Sequence, residues 1–377
     1  MNRLFGRNNM EVKPAWLAVV VLLTVLLVPG IVKATDRELP FPLLKKAAAL
    51  EIQKSIAGLN VLKAGGNHPW MYRVVPVIDL PQAPNPYGYD YSEGIAISPL
   101  GNIYLVMNVS GDIYRIDRHG MLSLIGDLVA QCDDSYPLGL AVDEDETLYV
   151  AVVGWNDSAA NGVWRIRESG EKELILPVPS AYWPNAISFD DSENLYVTDP
   201  LLGTIWRLGK DGDGGLWLQD SLLLGDVFGG NGIAYRKHNL WVLNTDRGRI
   251  VRIPIEQDGS PGQPEIFVES PLLVGCDGGQ FDIKGNMYVG VNYQGHLARV
   301  SSHGDVEILI TPQEFNGFYM VTNPLFGFGR DRSTIYITGM NPHVVKVDVG
   351  VPGMRLPQFK RSHCPDDDSD DARDHCH

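Results

Sequence analysis

From Met71 to the neighbourhood of Val349 the chain runs in short apolar stretches broken by polar turns, always in one order. A short apolar strand leads into a turn rich in Asp, Gly and Asn. A second strand of the NIYLV or NLYVT kind follows, then another turn and a third strand such as DIYRID or TIWRL. A fourth, more variable strand closes the unit, as in Leu122 to Ile125 or Ile266 to Glu269. Aromatic and β-branched residues alternating with polar ones give the period of strands, and no helical period of this length competes. The layout occurs six times, opening at Glu93, Leu138, Asn185, Asn231, Asp277 and Asn323, with spacings of 45, 47, 46, 46 and 46 residues. Four antiparallel strands per unit of this length predict an all-β fold, a six-bladed β-propeller.

The ends follow from the count. The sixth unit stops after its third strand, near Val349, and Met71 to Leu80 is a strand with no partner of its own. Added to the sixth blade, this N-terminal strand closes the ring and removes an open sheet edge. The propeller is thus expected over residues 70–353. Before it, Phe41 to Lys63 carries apolar residues at helical spacing, so residues 35–69 are expected to form a short helical extension, lying on the propeller or on a membrane surface. Residues 354–377 are expected to be a disordered acidic tail, since six Asp fall between Arg361 and His377.

Residues 1–34 change the picture of where the protein works. Arg3, Arg7 and Lys13 precede an apolar run from Ala15 to Val28, which Pro29 and Gly30 break ahead of Val32-Lys33-Ala34. That is the layout of a signal peptide cut after Ala34, with an uncleaved membrane anchor as the alternative. The body is expected to be secreted, lumenal or periplasmic, or tethered, with membrane contact only through this segment. Two sequons, at Asn108 and Asn156, are glycosylation candidates in such a compartment. The four cysteines fit it too; Cys132 with Cys276 and Cys364 with Cys376 is the first of three pairings to consider. A formal net charge of −15 excludes nucleic acid as a partner, because displacing counterions from phosphates needs a basic face.

In a propeller the first strand of each blade lines the central channel. The six opening residues therefore form a ring: Glu93, Leu138, Asn185, Asn231, Asp277 and Asn323. Five are oxygen donors and two are carboxylates. Turn propensity accounts for one Asn-Gly; it does not account for five polar oxygens at one equivalent position. Two carboxylates beside apolar strands repel each other unless a cation lies between them. Calcium, with its six to eight oxygen ligands, suits the set, and another divalent ion is the alternative. Zinc does not, because no His or Cys occupies the ring. Cys276, beside Asp277, has no candidate base and is expected to be buried or disulfide-bonded.

Four stretches carry a resemblance: SEGIAIS at Glu93, WPNAISFD at Asn185, GGNGIAY at Asn231 and GCDGGQFD at Asp277. In blade order they resemble the SMP-30/gluconolactonase/LRE-like six-bladed propellers, which are similar in turn to paraoxonase and diisopropyl-fluorophosphatase. The resemblance spans roughly Tyr72 to Val349. It implies that Glu93, Asn185, Asn231 and Asp277 hold a catalytic calcium and that the chain hydrolyses lactones, esters or phosphotriesters as small-molecule substrates. It also implies that Asp277 acts as base or nucleophile. Leu138 stands where gluconolactonases carry a substrate-binding Asn, which leaves sugar-lactone specificity open; Leu138 and Asn323 are the substrate-binding candidates. A paraoxonase-like His pair at the ring is lacking. Two alternatives are a non-catalytic binding propeller with a structural calcium, and a strictosidine synthase-like protein working without this metal set.

Overall fold

A computed structural model describes residues 72–81, 90–128, 135–154, 159–179, 182–315 and 320–359. The signal or anchor segment, the helical extension at 35–69, Asn156, Cys132, Cys364 and Cys376 lie outside the described residues. Within them the fold is all-β and propeller-like, and helical structure is confined to short 3-10 turns such as Ser221–Leu223 and Pro271–Leu273. Four antiparallel four-stranded sheets are built from residues 135–177, 187–219, 230–269 and 276–310. An eight-stranded sheet takes in residues 92–127 and 321–348 together with Val75–Asp79. In it, Val75–Asp79 lies antiparallel to His343–Asp348. The strand Ser92–Ile97 meets Thr334–Gly339 at a single pair, Ser92 with Gly339.

The core explains why neighbouring units need one another. Its clusters each join one unit to the next. Ala141, Ala151 and Val163 pack on Phe189, Val197 and Trp206; further round, Tyr288 and Leu297 pack on Phe326 and Ile335. Tyr336 and Val344 pack on Ile95, Ile97 and Leu105, so the last unit meets the first. A second strand lies between two such clusters and is buried on both faces. Every residue of Ile103–Met107, Leu195–Asp199 and Met287–Val291 is buried, which is why these strands read as near-continuous apolar runs instead of strict alternation.

The acidic turns are structural. Asp190 accepts from the backbone N–H of Ser192 and Asn194 at 2.9 Å and from the Tyr196 hydroxyl at 3.0 Å. Asp143 repeats the arrangement with Thr147 and Tyr149. Each carboxylate closes its own turn. Negative charge held in this way points to no ligand.

The end of the chain departs from expectation. Met354–Phe359, assigned by composition to a disordered tail, is packed. The Met354 N–H donates to the Phe281 carbonyl at 2.8 Å, and the Gln358 amide donates to the Val142 carbonyl at 3.1 Å. Phe359 is 5% exposed, packed among Ala96, Val106 and Leu140. Apolar burial outweighs the polar composition of the residues that follow. The segment floors an axial cavity of about 90 Å³ whose walls include Ile95, Leu140, Ile187 and Ile233. Phe359→Ala is expected to lower stability by about 3 kcal/mol in urea unfolding. A loss below about 0.5 kcal/mol, as for a surface position, would show that Phe359 does not anchor the segment in the core.

Candidate metal centre

The six unit-opening residues lie on one closed circuit. Gly94 packs on the Leu138 carbonyl, 2.2 Å from where a Cβ would sit. The Gly139 N–H donates to the Asn185 carbonyl at 3.0 Å. Asn185 is tied to Thr198 through its backbone N–H, and the Thr198 hydroxyl donates to the Asn231 carbonyl at 2.5 Å. Gly232 packs on the Asp277 carbonyl, and Gly278 on the Asn323 side chain. The Asn323 amide donates to the Glu93 carbonyl at 3.2 Å, where the Thr338 hydroxyl also donates at 2.8 Å, and the circuit closes. Glycine after the ring residue is a requirement of close approach. A Cβ on Gly232 would come within 2.0 Å of the Asp277 oxygen, a backbone atom that cannot swing away. Gly232→Ala is expected to cost about 3 kcal/mol in denaturant unfolding; a loss under about 1 kcal/mol would show that the ring can breathe there.

Glu93, Asn185, Asn231 and Asp277 are 8, 4, 4 and 5% exposed, so each of the expected ligands is buried. Asp277 is gripped from both sides. The Asn231 amide donates to its Oδ1 at 3.0 Å, and the Asn292 amide donates to its Oδ2 at 3.2 Å. The carbonyl oxygens of both asparagines, Asn231 Oδ1 and Asn292 Oδ1, are buried and have no hydrogen-bond partner. Each such orphan costs about 1–3 kcal/mol. Burial pushes the Asp277 carboxyl up to about 7, against the two amide N–H groups that favour its ionised form. Burial, and then the charge of Asp277, holds Glu93 well above the ordinary carboxylate range.

Two crowded carboxylates and two orphaned amide oxygens describe a place that lacks positive charge and oxygen-seeking partners. A hard divalent cation supplies both. The residues present therefore fit calcium.

Other site expectations are revised. Leu138 is 3% exposed, and its carbonyl packs against Gly94. Asn323 donates its amide N–H to the Glu93 carbonyl at 3.2 Å, approaches Gly278, and lines the axial cavity. Asn108 is fully buried: its Oδ1 accepts from the Glu93 N–H at 2.7 Å and its Nδ2 donates to the Pro137 carbonyl at 2.7 Å. An amide buried and bonded at both ends cannot carry a glycan in this fold; it fixes the backbone of Glu93 instead. Cys276 is a free, buried thiol donating to the Asn244 carbonyl at 3.3 Å, which removes its pairing with Cys132. Burial raises that thiol, so it is inert.

Two residues of the site went unrecognised in the sequence. Asn292 is one. Tyr136 is the other: its hydroxyl bonds that of Tyr91, and burial, then the neighbouring Tyr91 hydroxyl and the Glu93 carboxyl, push the phenol well above its ordinary range. A signal for the first was present. Asn108 follows Glu93, and Asn292 follows Asp277, by the same 15 residues.

No family model matches the chain. Among characterised relatives, lactonase drp35 of Staphylococcus aureus is 23% identical over 249 residues, 62% of this chain and 74% of the relative. The 6-deoxy-6-sulfogluconolactonase of Pseudomonas putida is 28% identical over 183 residues, 42% of this chain and 60% of the relative. Among solved structures, the calcium-binding protein regucalcin of Agrobacterium tumefaciens aligns with a TM-score of 0.58 at 17% identity, covering 76% of this chain and 96% of its own. A luciferin-regenerating enzyme aligns with a TM-score of 0.58 at 15% identity, covering 77% and 99%. A gluconolactonase of Xanthomonas campestris gives 0.56 at 19% identity, covering 74% and 90%. The chain thus shares its fold with the gluconolactonase, regucalcin and luciferin-regenerating proteins, the SMP-30/LRE-like group that its ring motifs resemble.

Proposed function

We propose that the protein is a calcium-dependent hydrolase of lactones, built on a six-bladed propeller. The eight-stranded sheet is then two four-stranded blades touching at one bridge, with Val75–Asp79 as the outer strand of the last blade and the clasp of the ring. The observation that carries the function is the pair of buried carboxylates, Glu93 and Asp277, beside two orphaned amide oxygens. Glu93, Asn185, Asn231 and Asp277 would hold the ion. Lactonase relatives support lactones ahead of aryl esters or phosphotriesters as the substrate class.

Bound calcium supplies Lewis-acid polarisation of a substrate oxygen. The chain supplies the rest. Asp277 is oriented by two amide N–H groups, and each of its oxygens keeps a second lone pair. It takes a proton from the attacking water as the water oxygen bonds the lactone carbonyl carbon. It returns that proton to the ring oxygen when the carbon–oxygen bond of the lactone breaks, leaving a hydroxy acid.

A hydrolysis panel of aliphatic lactones, aryl esters and phosphotriesters tests the substrate class. Turnover of lactones is expected to exceed that of the other two. A preference for esters or phosphotriesters would move the substrate class, and no turnover with calcium bound would favour a binding propeller. The export reading of residues 1–34 belongs to the same proposal; N-terminal sequencing of the secreted protein is expected to begin at Thr35.

A further inference from the structure

Asn292 belongs to no ring position, since it ends the second strand of its unit just past Met287–Val291. It is nonetheless 6% exposed, its backbone N–H donates to the Gly275 carbonyl at 2.8 Å, and its side-chain amide holds Asp277 Oδ2 at 3.2 Å. Its Oδ1 is buried without a partner. The location does not force this. Asn108 occupies the equivalent place in the first unit and is satisfied at both ends of its amide. Turning the Asn292 amide over does not cure it either. A turned amide would set its oxygen against a carboxylate oxygen and leave two N–H donors buried instead.

Asn231 shows the same pattern from another strand: one N–H on Asp277 and one orphaned oxygen. Two asparagines that grip opposite oxygens of one carboxylate, each with a buried oxygen left over, share one missing partner. We infer that Asn292 is a fifth oxygen donor to the cation of the ring, its N–H fixing Asp277 while its carbonyl meets the ion. This rests on the calcium reading of the site. Two carboxylates and three amide oxygens leave roughly one to three positions of the calcium shell for water or substrate.

The full chain is titrated with calcium by calorimetry and then loaded with terbium, a luminescent stand-in whose lifetimes in light and heavy water count its bound waters. Asn292→Ala is compared with wild type and with Asn231→Ala, folding being checked by circular dichroism. Asn292→Ser, which keeps a small polar side chain, carries the test if the alanine variant does not fold. Calcium affinity is expected to fall about tenfold or more, as for Asn231→Ala, and terbium is expected to gain about one bound water. An affinity within about twofold of wild type overturns the inference. Weaker affinity with an unchanged water count also overturns it, because Asn292 then only positions Asp277. Wild-type protein that binds neither ion overturns the calcium reading itself.

Discussion

Asp277→Asn is expected to lower lactone hydrolysis by about 10²–10⁴-fold, and saturating calcium is expected not to restore it. The substitution keeps the side-chain shape and one carbonyl oxygen, so the ion can still be held, more weakly. What it removes is the ring carboxylate gripped on both oxygens by amide donors, the group proposed to accept a proton. Glu93→Gln removes the same charge from a residue proposed only to bind the ion. Its activity is expected to fall at low calcium and to recover at high calcium. Steady-state rates over a calcium series, with bound metal measured in parallel, separate the two. Equal recovery of both variants would reduce Asp277 to a ligand.

Without metal, the same carboxylate is expected to make the fold less stable as pH rises. Its folded pKa of about 7 lies above the ordinary 3.8, so between these values the folded chain holds a proton that the unfolded chain has released. Stability therefore falls as pH climbs through that window. A tenfold difference in proton affinity between the two states corresponds to about 1.4 kcal/mol, so the total is on the order of a few kcal/mol. Glu93, also raised, acts in the same direction. In EDTA at pH 7.5, Asp277→Asn is expected to melt above wild type, and this order should reverse when calcium is added, because only wild type holds the ion tightly. Melting curves in EDTA and in calcium, from pH 4 to pH 8, check the sign. A metal-free wild type whose deficit against Asp277→Asn does not grow with pH would show that the carboxylates are not stressed.

Much of this architecture is legible in the chain alone. The 46-residue spacing of NGIAY, DGGQF and their counterparts reports units that must bury their faces on one another, so it survives sequence drift. Ring positions follow from the same spacing, and Glu93, Asn185, Asn231 and Asp277 do lie on one circuit. What escapes depends on contacts between distant segments. Asn108 carries a sequon, yet the sequence does not show that Pro137 and Glu93 close over its amide. Met354–Phe359 precedes an acidic stretch and reads as tail; the packing of Phe359 against residues of the first two units, distant in sequence, explains its burial. Asn292 sits on a strand end where Asn is common, and its tie to Asp277 spans a turn and two strands.

The most direct test is to strip the purified protein of metal, return calcium in steps, and follow lactone hydrolysis and bound calcium together. Activity is expected to vanish in EDTA and to return in proportion to bound ion, reaching its plateau at one calcium per chain. Undiminished hydrolysis by the metal-free protein, or a full calcium complement with no hydrolysis, would contradict a calcium-dependent lactonase.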